Sequence, residues 1–292
     1  MNNIPIEIPE EWQTVFSRDL SGTIMIFGQV DSGKSTLARS LYKQAIERSD
    51  KVAYLDADLG QQSIGPPAAI TLALSSEDDA GSFPPGGPTL IRFVGNNTPR
   101  GHFVPLLIAL QKLQQHAFES DVKTIIIDTS GFINPFQGAA VLKWAKVDLL
   151  QPSHLIALQK EREMEPILAP LRRLMGDRIT VLPPASSVDA RSAEERQAYR
   201  GQRYQEYFQD AQQIILSYRR LAVFPQRTFI PGQLLALNDE SGCVLALGVI
   251  ESTEPNDQAI TIRTPWWGDG KVTSLYLGSL RLDLDSFLDE PI

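Results

Sequence analysis

The 292-residue chain has a single cysteine, Cys243, and only three histidines, His102, His116 and His154, far apart in sequence. One cysteine excludes an internal disulfide, and with it the stapled scaffolds of small secreted domains. The same count excludes a cysteine-rich zinc site, and the histidines show no metal-ligand spacing. Apolar runs are short. None approaches the ~18 residues that a bilayer-spanning helix requires. Positive charge is in deficit: 27 Lys and Arg against 35 Asp and Glu leave a net charge of −8. That balance argues against a nucleic-acid coat over the whole surface and leaves room for a local basic cleft. The first residues carry Glu7, Glu10 and Glu11 and lack a basic-then-apolar signal pattern, so a cytoplasmic protein with no membrane partner is expected. With 42% hydrophobic and 21% charged residues, global disorder, collagen and coiled coil are excluded. At roughly 150 residues per domain, the length allows one large domain or two smaller ones.

What the chain does have is a repeated strand–turn–helix rhythm. Apolar runs at 23–27, 52–55, 90–94, 124–127, 154–158 and 178–182 alternate with segments of helical spacing at 37–45, 103–118, 137–147 and 162–175. The last of these contains Pro166 and Pro170 and is expected to kink or break. Continuous apolar strands separated by helices predict an α/β fold with a mainly parallel sheet flanked by helices. Residues 189–218 read as one long helical stretch rich in Arg and Gln, and 75–88 as a turn-rich acidic loop. From about 222 the pattern changes to short strands, with a polar hairpin turn at Asn238-Asp-Glu-Ser-Gly242. The expected organisation is a lead-in at 1–20, a nucleotide-binding domain at 21–220 with a helical lid at about 186–215, and a small C-terminal β module at 221–292. Trp266 and Trp267 are expected as core packing against the nucleotide-binding domain, with a nucleic-acid contact or a dimer surface as the other readings.

Gly28-Gln-Val-Asp31-Ser32-Gly33-Lys34-Ser35 matches G-x-x-x-x-G-K-[ST] at every fixed position, after a strand and before a helix. The glycines let successive backbone N–H groups converge on phosphate oxygens, and the helix N-terminus adds its positive end. Lys34 is placed to reach the β- and γ-phosphates, and Ser35 to put a hydroxyl on Mg²⁺. Thr36 completes the set of nucleotide-binding candidates with Gly28, Asp31, Ser32, Gly33, Lys34 and Ser35. Asp128 ends an apolar strand, where ligands of open α/β sheets bind, and is a second candidate for Mg²⁺. Asp56 and Asp58 end another strand. At i and i+2 in extended chain their side chains point the same way, so one would serve the metal and the other would accept a proton from an attacking hydroxyl. Against a GTPase, the late strand continues as Ala157-Leu-Gln-Lys-Glu161, with no N-K-x-D. Against a partitioning-type ATPase, residues 29–32 contain no extra lysine.

Four segments together resemble the polynucleotide 5′-hydroxyl kinase family. They are the P-loop, Asp56-Ala-Asp-Leu-Gly-Gln61 with Ile64-Gly-Pro-Pro67, Phe93-Val-Gly-Asn-Asn-Thr-Pro-Arg-Gly-His102, and Asp128-Thr-Ser-Gly-Phe132. That family includes the eukaryotic mRNA cleavage-complex kinase, the ribosome-biogenesis kinase and short archaeal enzymes. The resemblance spans about residues 20–215 and is greatest to the short archaeal type, in the C-terminal β module and in Phe132 where the eukaryotic kinase has Trp. It implies transfer of the γ-phosphoryl group of ATP, with Mg²⁺, to the 5′-hydroxyl end of RNA or DNA. Asp58 would be the general base, with Asp56 and Gln61 supporting metal and substrate. Thr98 and Pro99 would lie in the loop clasping the acceptor's phosphate, and Phe132 would stack on a base. Arg191, with Arg196 or Arg200, would close over the transferring phosphoryl group. Metal binding would fall to Ser35, Asp56 and Asp128. No base-reading motif singles out adenine, so other nucleoside triphosphates stay open, as does the choice between RNA and DNA.

The alternative from another class is a nucleotide-switched regulatory P-loop ATPase acting on a protein partner. The acidic balance points to recognition of a few nucleotides at one end rather than tight binding of long chains. The expected outcome is a plot of log affinity for an oligonucleotide against log salt with a slope of only about two to four; a steep slope would mean an extended binding surface.

Overall fold

The computed structural model describes residues 8–48, 51–76, 79, 82–185 and 191–292. The first seven residues of the lead-in, Glu7 among them, and residues 186–190 at the start of the expected lid lie outside the described residues. The chain forms two compact units. One runs through Asp58 and includes Thr71–Thr89 and Leu110–Arg191; the other comprises Leu59–Ile70, Leu90–Ala109 and Ser192–Ile292.

A short helix, α1 (Gln13–Phe16), leads to β1 (Gly22–Gly28), α2 (Lys34–Arg48), β2 (Val52–Ala57), β3 (Ala69–Leu74) and β4 (Thr89–Phe93). Then come α3 (Phe103–Glu119), β5 (Thr124–Thr129), α4 (Ala139–Leu150), β6 (His154–Leu158), α5 (Glu165–Met175) and β7 (Ile179–Leu182). The seven strands form one sheet in the order β4-β3-β2-β5-β1-β6-β7. The central pairs β2/β5, β5/β1, β1/β6 and β6/β7 are parallel, as continuous apolar strands buried on both faces require. Strand β3 runs antiparallel to β2, so the sheet is mixed at that side. The sequence reading did not anticipate β3, which lies between the Gly-Pro-Pro turn and the acidic loop. Helix α2 buries Leu37, Ala38, Leu41 and Tyr42, one helical face, while its first turn takes up the P-loop. Helix α5 is continuous despite two prolines. Pro166 occupies the first turn, where its missing N–H has no intrahelical partner to lose, and only Pro170 removes a ladder bond.

The second unit contains α6 (Ala193–Phe208), β8 (Gln212–Ser217), β9 (Ala222–Phe224), β10 (Gln233–Asn238), β11 (Val244–Glu254), β12 (Ala259–Thr264), β13 (Ser274–Leu282) and β14 (Asp289–Pro291). The single helix expected over 189–218 is therefore corrected. The helix stops at Phe208, and residues 212–217 alternate half-buried with exposed as β8, antiparallel to β12. Period two, not period 3.6, governs that segment. Helix α6 starts with a capping box. Ser192 Oγ accepts from the Glu195 N–H at 3.1 Å, and Glu195 Oε2 accepts from the Ser192 N–H at 2.7 Å. The β10–β11 hairpin forms with the expected polar turn, whose Asp239 Oδ1 accepts from the Ser241 and Cys243 N–H groups. The sheet order is β14-β13-β10-β11-β12-β8, with β9 parallel to β13. Trp266 packs against the cluster of Leu235, Ile260 and Leu275, whereas Trp267 is exposed, so only one of the two tryptophans is core.

One buried carboxylate organises this unit. Asp289 accepts from Arg200 Nε at 2.9 Å and Nη2 at 3.0 Å, and from the Asn97 side-chain amide; its carbonyl accepts from Gln197 at 3.0 Å. Removing one member of a buried, fully hydrogen-bonded pair leaves the other charge uncompensated, at about 3–5 kcal/mol. Asp289→Ala is expected to destabilise the second unit by that order, read as a lower urea midpoint for the transition reported by hydrogen exchange in α6; an unchanged midpoint would refute it.

Candidate active site

At the carboxyl end of β1 the chain turns through residues 28–33 into α2. Gly33 has φ +90° and Asp31 φ +57°, both left-handed, which curls the backbone back on itself. A Cβ on Gly33 would sit 2.9 Å from the Ala185 Cβ, and one on Gly28 2.5 Å from Ser32 Oγ. Gly33 is thus required by space as well as by φ, and Gly28 by the space it leaves to Ser32 and Leu158. Lys34 is buried, and its ammonium donates to the Gln29 carbonyl at 2.5 Å, bridging the loop. Burial lowers its pKa, opposed by the charges of Asp128, Asp58 and Asp31.

Asp128 is fully buried at the end of β5 and faces Asp56 in register across the parallel β2/β5 pair. Burial raises its pKa. Hydrogen bonding from the Ser35 hydroxyl, the Lys34 charge and the Tyr54 phenol, at 3.2 Å, oppose the rise, while Asp58 adds to it. Asp56 is also buried, and its Oδ1 accepts from the Asp58 N–H at 3.2 Å. This corrects the extended i, i+2 arrangement. Strand β2 ends at Ala57, and Asp56 caps the turn that carries Asp58 out to a half-buried position. Two buried polar atoms here, Ser32 Oγ and Asp128 Oδ1, have no hydrogen-bond partner in the protein. A glycine-lined loop, a buried lysine, a serine hydroxyl on a buried aspartate and two unsatisfied oxygens fit a nucleoside triphosphate with a divalent cation. Among the described residues no cluster of three His, Cys, Asp or Glu would enclose a metal on its own. That is the usual condition of a Mg²⁺ shared with phosphates.

Two further expected residues belong to the same unit. The Arg191 N–H donates to Asp31 Oδ2 at 3.0 Å, which ties the start of the expected lid to the P-loop. Phe132 is half-buried, while Phe136, in a turn capped by the Asn134 side chain, is 98% exposed. The second unit carries the rest. Gln61 donates to the Arg196 carbonyl at 3.4 Å, Tyr199 to the Gln62 carbonyl at 2.7 Å, and Arg203 to the Gly65 carbonyl at 2.9 Å. Helix α6 therefore packs on the segment that follows the acidic pair. Arg200 is held by Asp289, and Arg203 also pairs with Glu206. The Thr98-Pro99 loop is held by side-chain hydrogen bonds. Thr98 N–H donates to Asn96 Oδ1 at 3.0 Å, Asn96 donates to Ser279 Oγ at 2.8 Å, and Ser279 Oγ also hydrogen-bonds His102 Nε2 at 2.9 Å.

Sequence reasoning missed Tyr54, Asp289 and two lysines of α4. Lys143 and Lys146 are both buried, and the charges of Asp58 and Asp128 act on Lys146. A lysine pair on a helix reads as a solvated face. The one available signal was the apolar Val141 and Trp144 beside them, which leave the lysines on the opposite face.

Fold and site define a P-loop nucleotide-binding α/β protein. Residues 28–210 match the family described as mRNA cleavage and polyadenylation factor CLP1 P-loop, and the chain belongs to that family. It is 30% identical over 225 residues to a polyribonucleotide 5′-hydroxyl-kinase of Pyrococcus furiosus, covering 76% of this chain and 61% of the relative. A polyribonucleotide 5′-hydroxyl-kinase of Methanocaldococcus jannaschii is 32% identical over 206 residues, covering 70% and 55%. A CLP1 homolog of Drosophila yakuba is 30% identical over 202 residues, covering 65% and 46%. The chain thus spans about half to six-tenths of the length of the curated relatives it matches. The fold is similar to that in the solved complex of wild-type Clp1p with Pcf11p, with a TM-score of 0.70 and 16% identity over 92% of this chain and 76% of that one. Among the described residues no helix is long and apolar enough to cross a membrane.

Gly131 gives the sharpest steric test of the nucleotide site. A Cβ there would lie 2.4 Å from the Val30 nitrogen, inside the P-loop. Gly131→Ala is expected to displace the loop and weaken Mg-ATP binding by about tenfold or more, equivalent to about 1.4 kcal/mol, measured by calorimetry. Unchanged affinity would show that the loop does not hold the phosphates.

Proposed function

We propose that the protein is an ATP- and Mg²⁺-dependent polynucleotide kinase that phosphorylates 5′-hydroxyl ends. The observation that carries the reading is the half-buried Asp58. It is turned out from β2 by the Asp56 cap, and its charge acts on both Lys34 and Asp128. A carboxylate there serves an attacking oxygen, and membership of the family selects a hydroxyl over water as its source. A kinase needs one to take the proton of an attacking hydroxyl. Membership of the family and similarity to proteins named polyribonucleotide 5′-hydroxyl-kinases support the acceptor class.

In this reading the P-loop N–H groups, with Gly28, Asp31, Ser32, Gly33 and Thr36, hold the triphosphate, and Lys34 reaches its outer phosphates. Ser35 and Asp128, with Asp56 behind them, would hold Mg²⁺, which when bound neutralises charge on the phosphate oxygens. Asp58 accepts the proton of the acceptor's 5′-hydroxyl as that oxygen attacks the γ-phosphorus and ADP departs. Gln61 and the Thr98-Pro99 loop bind the acceptor, and an aromatic near Phe132 stacks on its base; the exposed Phe136 is as well suited as Phe132. Arg191 and Arg196 are the closing cations. Arg200, locked to Asp289, instead anchors α6.

The test is transfer from γ-labelled ATP to short 5′-hydroxyl RNA and DNA. The expected result is label on the 5′ end, with Lys34→Ala and Asp58→Asn each reducing transfer by about 100-fold or more and Asp58→Asn retaining Mg-ATP binding. No label on either polymer, with hydrolysis intact, would replace this reading with that of a switch ATPase acting on a protein partner.

A further inference from the structure

Helix α4 is inverted. It exposes Val141 at 65% and Trp144 at 47%, yet buries Lys143 and Lys146 at 2% and 1%. Burying two lysine side chains while leaving a tryptophan in water is unfavourable, and burial together with the neighbouring Lys146 charge pushes the Lys143 amine well below the usual lysine range. Such a conflict between local pattern and burial is the mark of a functional position rather than of a scaffold. The helix is otherwise ordinary: Ala139, Leu142, Val147 and Leu150 are buried along the same side.

The burial is directed. Helical side chains lean toward the N-terminus of their helix, so both lysines lean toward the carboxyl end of the sheet, where α4 begins. Lys143 shows where that leads. Its ammonium donates at 3.4 Å to the carbonyl of Ser130, two residues past Asp128, and lies 4.2 Å from the ring centre of Phe27, the last residue before the P-loop glycine. Lys146 makes no hydrogen bond and no ion pair with any described residue. A buried ammonium beside an acidic site, with no carboxylate on it, is built for an anion that arrives.

We propose that Lys143 and Lys146 form a second phosphate-binding element, in which Lys146 gives its ammonium to an anionic oxygen of a bound phosphate ester; the proposal rests on the kinase reading above. The ester is either the outer phosphate of the nucleotide or the first internucleotide phosphate of the acceptor. Lys143, fixed by Ser130 and Phe27, holds the neighbouring position. Burial lowers the pKa of Lys146 to about 8, opposed by the charges of Asp58 and Asp128.

Two measurements on the full chain test this. In the unmodified protein, trace acetylation of Lys146, read by peptide mass spectrometry, is expected to slow about tenfold with tripolyphosphate or with a 5′-hydroxyl dinucleotide. Protection by the first assigns the nucleotide's phosphate, and by the second the acceptor's. No reaction in the ligand-free protein, or no protection by either compound, overturns the proposal whether or not the protein is a kinase. Kinetically, Lys146→Met is expected to lose about 30-fold in one of two ways. Either affinity for tripolyphosphate falls, or kcat/KM falls for a phosphodiester dinucleotide acceptor and not for its uncharged methylphosphonate analogue. Equal loss on both acceptors with unchanged tripolyphosphate affinity would make Lys146 a packing residue and refute the site. If the wild type transfers to no acceptor, the kinase reading fails, and the acetylation measurement still decides the lysines.

Discussion

The constraint on which the first unit depends is the burial of Asp128. A buried carboxylate must be stabilised by what surrounds it, and here the supports come from three elements of the chain. Ser35 and Lys34 come from the P-loop helix, Tyr54 from β2, and the strand itself fixes Asp128 in register with Asp56. Charge balance then explains the P-loop conformation. Lys34, buried with its ammonium on Gln29, is held by the same aspartates that it stabilises. The two pKa shifts run in opposite directions from their ordinary values because both groups are buried. Each therefore needs the other, and a divalent cation entering on Asp128 and Ser35 would relieve the carboxylate and release the lysine for phosphate.

How much of this was legible in sequence depended on whether the physics was local. The P-loop is a local constraint: two glycines that cannot carry a Cβ, a lysine and a hydroxyl at fixed spacing, so it could be read directly. The central parallel strands were legible because burial on both faces makes them continuously apolar. Strand β3 was not, since Ala69–Leu74 follows a Gly-Pro-Pro turn and pairs antiparallel only through the tertiary arrangement of β2. The end of α6 was misplaced for a related reason. Gln212 and Gln213 are good helix formers, and only pairing with β12 makes them a strand.

Long-range charge partners were the least legible. Arg196, Arg200 and Arg203 fall at i, i+4 and i+7 on one helical face, where spacing alone does not tell them apart. The structure differentiates them through residues far away in sequence: Arg200 through Asp289, Arg203 through Gly65, and the backbone of Arg196 through Gln61. Asp289 itself carries no motif. Its role arises because β14 brings it, buried, to the Asn97 amide and the Arg200 guanidinium at once. In the second unit, then, the C-terminal strand joins the loop that precedes Thr98 to the helix that carries the arginines.

That junction gives the C-terminal module a physical task. Under the proposed kinase reading, the Thr98-Pro99 loop and the arginines of α6 must each hold position against their own side-chain entropy. Hydrogen bonds within the Asn96–Arg100 turn stiffen the loop locally, and Ser279 of β13 and Asp289 of β14 fix it to the sheet. The packing at Gly201, where a Cβ would come 3.0 Å from the Phe287 carbonyl, sets the helix against the same terminal segment. The bidentate pairing of Arg200 with Asp289 adds direction to that packing, since two nitrogens on one carboxylate fix the plane of the guanidinium. Arg196 lies one turn before Arg200 on the same helix, so the pair that anchors Arg200 also sets the bearing of that turn.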